Sequence, residues 1–267
     1  MRIIDPHVHM YSRTVDDYEK MSLSGIEIVV EPAFWLGSER TSVHTYYDYF
    51  SHILNFEPVR AKKYDIEHYS CIAANPKEAN NLELALQVVE GMEPFLSHPR
   101  CLAIGEIGFD KITDAEEEVM RRQLELAKRK DMLVMVHIPH VNKREGTKRT
   151  IRVLNEIGIR PEKVLLDHNI EETVDLALEY GAWAGMTVYP GKITPERAIA
   201  IMQQYGTDRL MINSACDWGP ADPISVPRTC KKMKEAGFAQ EEIQKVVWDN
   251  PYQFYKMSGK LNIEMYE

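Results

Sequence analysis

The sequence predicts an α/β protein with the (β/α)8 barrel fold, on the evidence of its apolar pattern and its length. Eight short apolar segments alternate with longer segments of helical periodicity along the chain. Most of the eight lack alternating polar residues, as expected for parallel strands that are buried on both faces. A length of 267 residues fits one such barrel, which usually takes about 250 residues. No linker or internal repeat divides the chain, so we expect one domain over residues 1–267.

The predicted strands are rich in β-branched residues and end at proline, asparagine or an ionisable residue. A doubly wound open sheet would show a similar alternation of elements, but no glycine-rich phosphate-binding turn follows any strand. The pattern therefore favours the barrel, with strands at residues 3–9, 26–31, 67–74, 101–106, 132–137, 163–168, 182–189 and 209–213.

The intervening segments have the apolar spacing of helices that pack on one face. Thr113 and Asp114 provide a start signal before one of them, and Gly25 and Gly181 follow the ends of two others. We predict helices at residues 14–24, 43–63, 78–96, 115–130, 149–157, 171–180, 195–205, 226–236 and 241–255.

Composition limits the classes of function. A net charge of -9 disfavours non-specific binding to nucleic acid, which relies on clustered Lys and Arg. The first strand starts without a basic leader, and no apolar run approaches a membrane span, so we expect a cytoplasmic protein with no membrane partner. The four cysteines lie far apart and are expected to be reduced buried thiols; they are Cys71, Cys101, Cys216 and Cys230.

Two histidines one residue apart, His7 and His9, end the first predicted strand. Because side chains alternate along a strand, both imidazoles are expected on the same face. Neutral imidazole is a good ligand for zinc and related divalent ions. The pair alone could equally be two surface or capping histidines.

Other predicted strands also end in residues of the types that bind metals. In a barrel of this kind the carboxyl ends of the strands form the mouth where chemistry takes place. Any one of these residues could cap a helix, but their recurrence at several strand ends predicts a metal site. The candidates are His7, His9, Glu106, His137, His168 and, just beyond the eighth strand, Asp217.

The order of these residues resembles the TatD-type branch of the amidohydrolase superfamily. The H-x-H pair, the Gly-Glu-Ile-Gly-Phe-Asp motif at residues 105–110, two later strand-terminal histidines and a late aspartate occur in the same order. The resemblance implies a TIM-barrel hydrolase that binds one or two divalent metal ions, zinc first, with manganese or magnesium as alternatives. It also implies that all six residues are ligands and that Glu106 bridges the ions.

Catalytic and substrate-binding roles follow from this expectation. Asp217 would be both a ligand and the general base that orients the attacking water, and Glu106 would act with it at the metal centre. Asp167 is expected to point away from the mouth. Polar residues in loops after strands could contact substrate, although Lys143 and Arg144 could instead be a solvated charge pair. These substrate-binding candidates are His140, Lys143, Arg144, Asn169 and Tyr189.

Three functions remain open at this point. The first is hydrolysis of a small-molecule ester, lactone, amide or phosphoester. The second is a TatD-like deoxyribonuclease or phosphodiesterase, and the third a non-catalytic metal-binding assembly partner. Met10 and Tyr11 follow His9 where the family continues to Asp, and Ile138 and Pro139 follow His137 in place of polar and basic residues. These departures favour a small-molecule substrate over nucleic acid, and a homo-oligomer remains open.

Overall fold

A computed structural model describes residues 1–261 of the chain and confirms the predicted barrel. Its eight strands form one parallel sheet in which each strand pairs with the next along the chain. The strands are β1 (Ile3–Asp5), β2 (Ile26–Pro32), β3 (Glu67–Ile72), β4 (Cys101–Gly108), β5 (Leu133–His137), β6 (Val164–Asp167), β7 (Trp183–Thr187) and β8 (Leu210–Asn213).

Helices connect successive strands on the outside of the sheet. Two of the longer predicted helices contain a wider π-helical turn, at His52–Phe56 and at Lys245–Asp249. The α-helices are α1 (Val15–Leu23), α2 (Val43–Ser51), α3 (Glu57–Lys62), α4 (Leu82–Gly91), α5 (Glu93–Leu96), α6 (Asp114–Lys130), α7 (Lys143–Ile157), α8 (Val174–Tyr180), α9 (Pro195–Tyr205), α10 (Ser225–Glu235), α11 (Gln240–Gln244) and α12 (Asn250–Lys256).

Two predicted boundaries are wrong in ways that affect the mouth. The first strand ends at Asp5, so His7 and His9 lie in the turn after it and do not alternate along a strand. Helix α7 begins at Lys143 instead of residue 149. Gly146 lies in the first turn of this helix, and because glycine is a poor helix former the sequence pattern does not indicate the turn. A glycine is needed at this position because a Cβ there would lie 2.3 Å from Cγ of Pro139.

Apolar side chains form two layers around the sheet. Alternate strand residues such as Ile4, Met135 and Met211 pack together with Phe254 and Tyr255 of α12. Residues of the opposite strand faces pack against the surrounding helices. The four cysteines are buried and unpaired, as predicted. No helix within residues 1–261 is long and apolar enough to cross a membrane.

A buried carboxyl group joins the last strand to the first. Asp5, at the end of β1, accepts hydrogen bonds from the backbone N–H of Ser214 (3.2 Å) and from its hydroxyl (2.6 Å). The Tyr255 hydroxyl donates to the carbonyl oxygen of Pro6 (2.8 Å) just beyond. These bonds fix the start of the segment that carries His7 and His9.

We expect Ser214→Ala to destabilise the fold, because it removes a donor from the buried Asp5 carboxyl group. Loss of such a bond costs about 1–3 kcal/mol, which in a domain of this size lowers the Tm by about 2–4 °C per kcal/mol. Thermal unfolding followed by circular dichroism measures the change.

Ser225→Ala is the matched control. Its hydroxyl is also buried but has no partner among the described residues, so its removal should leave the Tm nearly unchanged. Equal Tm values for the two variants would contradict the role assigned to the Asp5–Ser214 bond.

Candidate metal centre

Side chains from four separate strand ends converge at the mouth on the carboxylate of Glu106. The turn after β1 brings the Nε2 atoms of His7 and His9 to 2.9 Å from each other. The backbone N–H of Val8 donates to the carbonyl of Val30 (2.9 Å), which ties this turn to β2. His7 Nε2 lies 3.7 Å from Glu106 Oε1 at the end of β4.

The next two strands contribute the remaining imidazoles. Nδ1 of His137, at the end of β5, lies 3.2 Å from Glu106 Oε1, and Nε2 of His168, just after β6, lies 3.1 Å from the same atom. The other carboxylate oxygen of Glu106 accepts from the Asn75 amide at 3.2 Å. One carboxylate oxygen therefore faces the histidines, while the other is held by Asn75.

Asp167 points into the mouth, so the expectation that it points away is wrong. Its Oδ2 accepts from Nδ1 of His7 at 2.5 Å, and its Oδ1 accepts from the Asn213 amide at 2.9 Å. A carboxylate on Nδ1 fixes the imidazole orientation and leaves the Nε2 lone pair free. Gly185 on β7 makes room for this group, since a Cβ there would lie 2.0 Å from Asp167 Oδ1.

The backbone at the end of β6 explains why consecutive residues both face the mouth. His168 has a φ of +68°, which is uncommon for a residue other than glycine and reverses the strand alternation after Asp167. With its proton on Nδ1, His168 donates to the Thr187 hydroxyl oxygen (2.5 Å) and presents Nε2 to Glu106.

A glycine also sets the spacing between the two strands that carry Glu106 and His137. Gly108 has a φ of +128°, and a Cβ on it would lie 2.5 Å from the His137 carbonyl oxygen. Only glycine combines this conformation with so close an approach. The second glycine of the Gly-Glu-Ile-Gly motif therefore positions the neighbouring strand.

Burial and mutual charge set the protonation of the cluster. Burial lowers the pKa values of His9 and His168 well below the usual range and keeps these imidazoles neutral. Burial alone would raise the pKa of Glu106, but the neighbouring His7 and His137 side chains help to lower it well below its usual value. Burial would lower the pKa of His7, yet the Glu106 and Asp167 carboxylates raise it overall. Neutral imidazoles and an ionised carboxylate are the forms that bind metals.

The donor set fits a divalent cation. Ligand atoms of His7, Glu106 and His168 lie within 4.8 Å of one another, and all three residues are buried. His9 Nε2 and His137 Nδ1 adjoin this group, and Nε2 of His137 is buried without a partner among the described residues. Imidazole nitrogen with one or two carboxylates is typical of zinc and other transition-metal sites.

The structure does not bring the Asp217 carboxylate into this cluster. Asp217 lies beyond β8, where its Oδ1 accepts from the Tyr189 hydroxyl and from the Gly219 backbone N–H, both at 2.8 Å. Its carbonyl oxygen accepts from Arg13 at 2.9 Å. Asp217 is thus held at the rim of the mouth, with Tyr189 beside it.

Most of the predicted substrate-binding residues line one cavity beside the histidines. Its volume is about 340 Å³, and its walls include His140, Lys143, Asn169 and Tyr189. Arg144 lies elsewhere, because its guanidinium pairs with both carboxylate oxygens of Asp175 at 2.9 and 3.0 Å.

Aromatic side chains close the opposite side of the mouth. The Phe34 ring stacks on His9 with centroids 3.9 Å apart, and Trp218 contacts Phe34 and Trp35 at 4.9 and 5.5 Å. Trp218 follows Asp217 directly and remains 42% exposed. The loops after β2 and β8 therefore meet over His9.

Several residues of the mouth were not identified from the sequence. Asn75, Thr187 and Asn213 follow or end strands three, seven and eight, so the same strand-end rule would have found them had amide and hydroxyl groups been included. Lys192, which lies in the cavity wall, carries no comparable signal because it follows a proline–glycine turn.

We expect Asp167→Asn to weaken metal binding by about 10–100-fold, because it removes the carboxylate that orients His7. Competition with a chromophoric chelator measures the affinity. Asp175→Asn, which changes a carboxylate paired with Arg144 outside the mouth, is the control and should leave the affinity unchanged. An unaltered affinity in Asp167→Asn would refute the role given to this carboxylate.

Comparisons with known proteins identify the family of this chain. The family model described as TatD related DNase matches residues 4–256. An uncharacterized metal-dependent hydrolase of Methanocaldococcus jannaschii is 32% identical over 257 residues, covering 96% of this chain and 100% of the relative. A second uncharacterized metal-dependent hydrolase, from Bacillus subtilis, is 21% identical and covers 71% of this chain and 78% of its own length.

Solved structures show the same fold. A TatD-like protein of Archaeoglobus fulgidus superposes with a TM-score of 0.78 at 27% identity, covering 95% of this chain and 99% of that protein. The phosphotriesterase homology protein of Escherichia coli, with phosphate in its active site, superposes with a TM-score of 0.70 at 15% identity, covering 95% and 98%. The chain is a metal-dependent hydrolase of TatD type and belongs to the family of TatD-related DNases.

Proposed function

We propose that this protein hydrolyses an ester, lactone, amide or phosphoester bond in a small molecule. The observation that carries the proposal is the cluster of four buried imidazoles at the buried carboxylate of Glu106, of which three face its Oε1 atom and the fourth, His9, adjoins His7. Such a set would hold one or two divalent ions, for which zinc is the first candidate and manganese or magnesium the alternatives.

The chain's own residues have distinct tasks in this proposal. His7, His9, His137 and His168 would hold the cation together with Glu106, which would bridge if two ions bind. A bound divalent ion supplies hydroxide at neutral pH by lowering the pKa of water from about 15.7 to near 7. Asp167 and Thr187 orient two of the imidazoles through Nδ1.

Asp217 is proposed as the general base that takes a proton from the attacking water and then passes it to the leaving group. The Tyr189 hydroxyl and the Gly219 N–H bind one of its carboxylate oxygens, which leaves the other oxygen for a proton. The position of Asp217 at the rim supports this role better than the predicted role as a metal ligand.

The cavity favours a small substrate. Its volume of about 340 Å³ is at the lower end of the range for small-molecule sites, and the net charge of -9 disfavours long polyanions. Nuclease activity is the second candidate, because the matching family is described as TatD related DNase. The E. coli relative that binds phosphate in its active site is compatible with a phosphoester, and a lactonase of the same fold is compatible with a lactone.

We expect stoichiometric divalent metal in the purified protein, and hydrolysis that EDTA abolishes and added Zn²⁺, Mn²⁺ or Mg²⁺ restores. Elemental analysis coupled to a panel of phosphodiester, phosphomonoester, lactone and amide substrates tests this. A protein that binds no metal after reconstitution would disprove the proposal, and faster turnover of an oligodeoxynucleotide than of every small substrate would favour the nuclease.

Asp217→Asn should retain the fold and the bound metal while kcat falls by about 10²–10⁴-fold, the usual contribution of a general base. Asp222→Asn is the control, since Asp222 lies farther along the same loop and pairs with exposed Arg228 on α10. Metal content and kcat are measured for both variants. Full activity of Asp217→Asn would end the assignment of the base.

A further inference from the structure

A lysine without a charged partner lies beside the metal centre. Lys192, between β7 and α9, lines the cavity that His168 and Tyr189 also line. Within residues 1–261 its ammonium makes no hydrogen bond or ion pair, and its contact is with the ring face of Tyr189, 5.0 Å from the centroid. Three donors of this side chain are therefore available to a molecule in the cavity.

The charge of Lys192 acts directly on the centre. Burial lowers the pKa of the Lys192 ammonium, while the charges of Glu106, Asp167 and Asp217 favour its charged form. The side chain lines the same cavity as His168 and forms an ion pair with none of these three carboxylates.

A second lysine lies on the same cavity wall. The Lys143 ammonium donates to the carbonyl oxygen of His168 at 2.9 Å and to that of Ile138 at 3.5 Å. These two bonds hold the amine at the edge of the cavity and leave one of its three protons for a ligand. Lys143 and Lys192 thus present positive charge to one small volume.

Other cations near the mouth are already neutralised. Lys77 pairs with Asp110 at 2.8 Å, and Arg13, which donates to the Asp217 carbonyl, pairs with Asp17 at 2.8 Å. The chain has a net charge of -9, so an unpaired ammonium inside the cavity gives this site a local positive charge in an otherwise acidic protein. Its electrostatic consequence is attraction of an anion, strengthened by the low-dielectric walls around it.

We propose that Lys192, assisted by Lys143, forms an anion-binding subsite that holds a carboxylate or phosphate group of the substrate apart from the bond that is hydrolysed. This inference rests on the proposed function and names its substrate class, a small molecule with an additional negative charge. Binding energy from such a remote group positions the reacting bond at the metal centre.

The test is calorimetric titration of the metal-loaded protein with glutarate and, separately, with inorganic phosphate. Lys192→Met should weaken binding of the preferred anion tenfold or more, the size expected for loss of a charge-assisted hydrogen bond. Lys192→Arg should keep most of the affinity. Because the charge of Lys192 also acts on the centre, the titrations are repeated on metal-free protein, where no anion can bind the metal and a remaining difference between the variants reports the lysine.

Lys148→Met is the matched control, because Lys148 lies on α7 near Lys143 but is exposed and pairs with Glu145. It should bind both anions like the unaltered protein. Metal content and circular dichroism are measured for every variant, and Lys192→Gln replaces Lys192→Met if the latter folds poorly. Equal affinities in Lys192→Met and the unaltered protein would overturn the subsite.

The two anions show which group the subsite takes, since a carboxylate subsite prefers glutarate and a phosphate subsite prefers inorganic phosphate. A ten-residue oligothymidylate is the third probe. Tighter binding of this oligonucleotide than of either small anion, lost in Lys192→Met, would overturn the assignment to a small molecule.

The outcome also separates the subsite from the proposed function. If Lys192→Met loses anion affinity while no substrate of the hydrolysis panel is turned over, the subsite stands and the proposed reaction fails. If the panel is turned over but anion affinity is unchanged, the reaction stands and the subsite fails.

Discussion

The mouth of this barrel depends on one buried negative charge, the carboxylate of Glu106. A carboxylate placed without water must be compensated by hydrogen bonds or cations. Imidazoles surround one of its oxygens and the Asn75 amide holds the other. Because these groups come from strand ends far apart in sequence, their meeting requires the eight-stranded parallel barrel and the segments that follow its strands. The groups that compensate the Glu106 charge, and so the chemistry of the centre, are therefore brought together only by this fold.

Much of this arrangement could be predicted from the sequence, since buried parallel strands appear as continuous apolar runs and their ends share one edge. His137 and His168 were found in this way. The direction of Asp167 could not be predicted, because strand alternation fails where His168 adopts a left-handed conformation. The pairing of Arg144 with Asp175 could not be predicted either, because the two residues lie 31 apart in the chain and sequence spacing does not show such a contact.

The distribution of charge bears on how substrates are selected. An acidic chain disfavours polyanions that extend across its surface, while the lysines inside the mouth attract an anion small enough to enter. The two effects do not oppose each other for a small anion, since screening limits the long-range repulsion to about 8–10 Å in physiological salt. Trp35 and Trp218 add an apolar rim on the opposite side. Size, charge and apolar contact would then each exclude a different set of competing molecules.

Gly185 has a consequence for how this family can vary. The space where its side chain would begin is already filled by the carboxylate of Asp167. Gly185 cannot gain a side chain while the Asp167 carboxylate keeps this place, although the two residues lie on different strands and 18 residues apart. In a set of homologous sequences the two should therefore covary, with glycine at the one wherever an acidic residue stands at the other. Such paired variation would separate the relatives in which an acidic residue at position 167 orients the histidine at position 7 from those that orient it in another way.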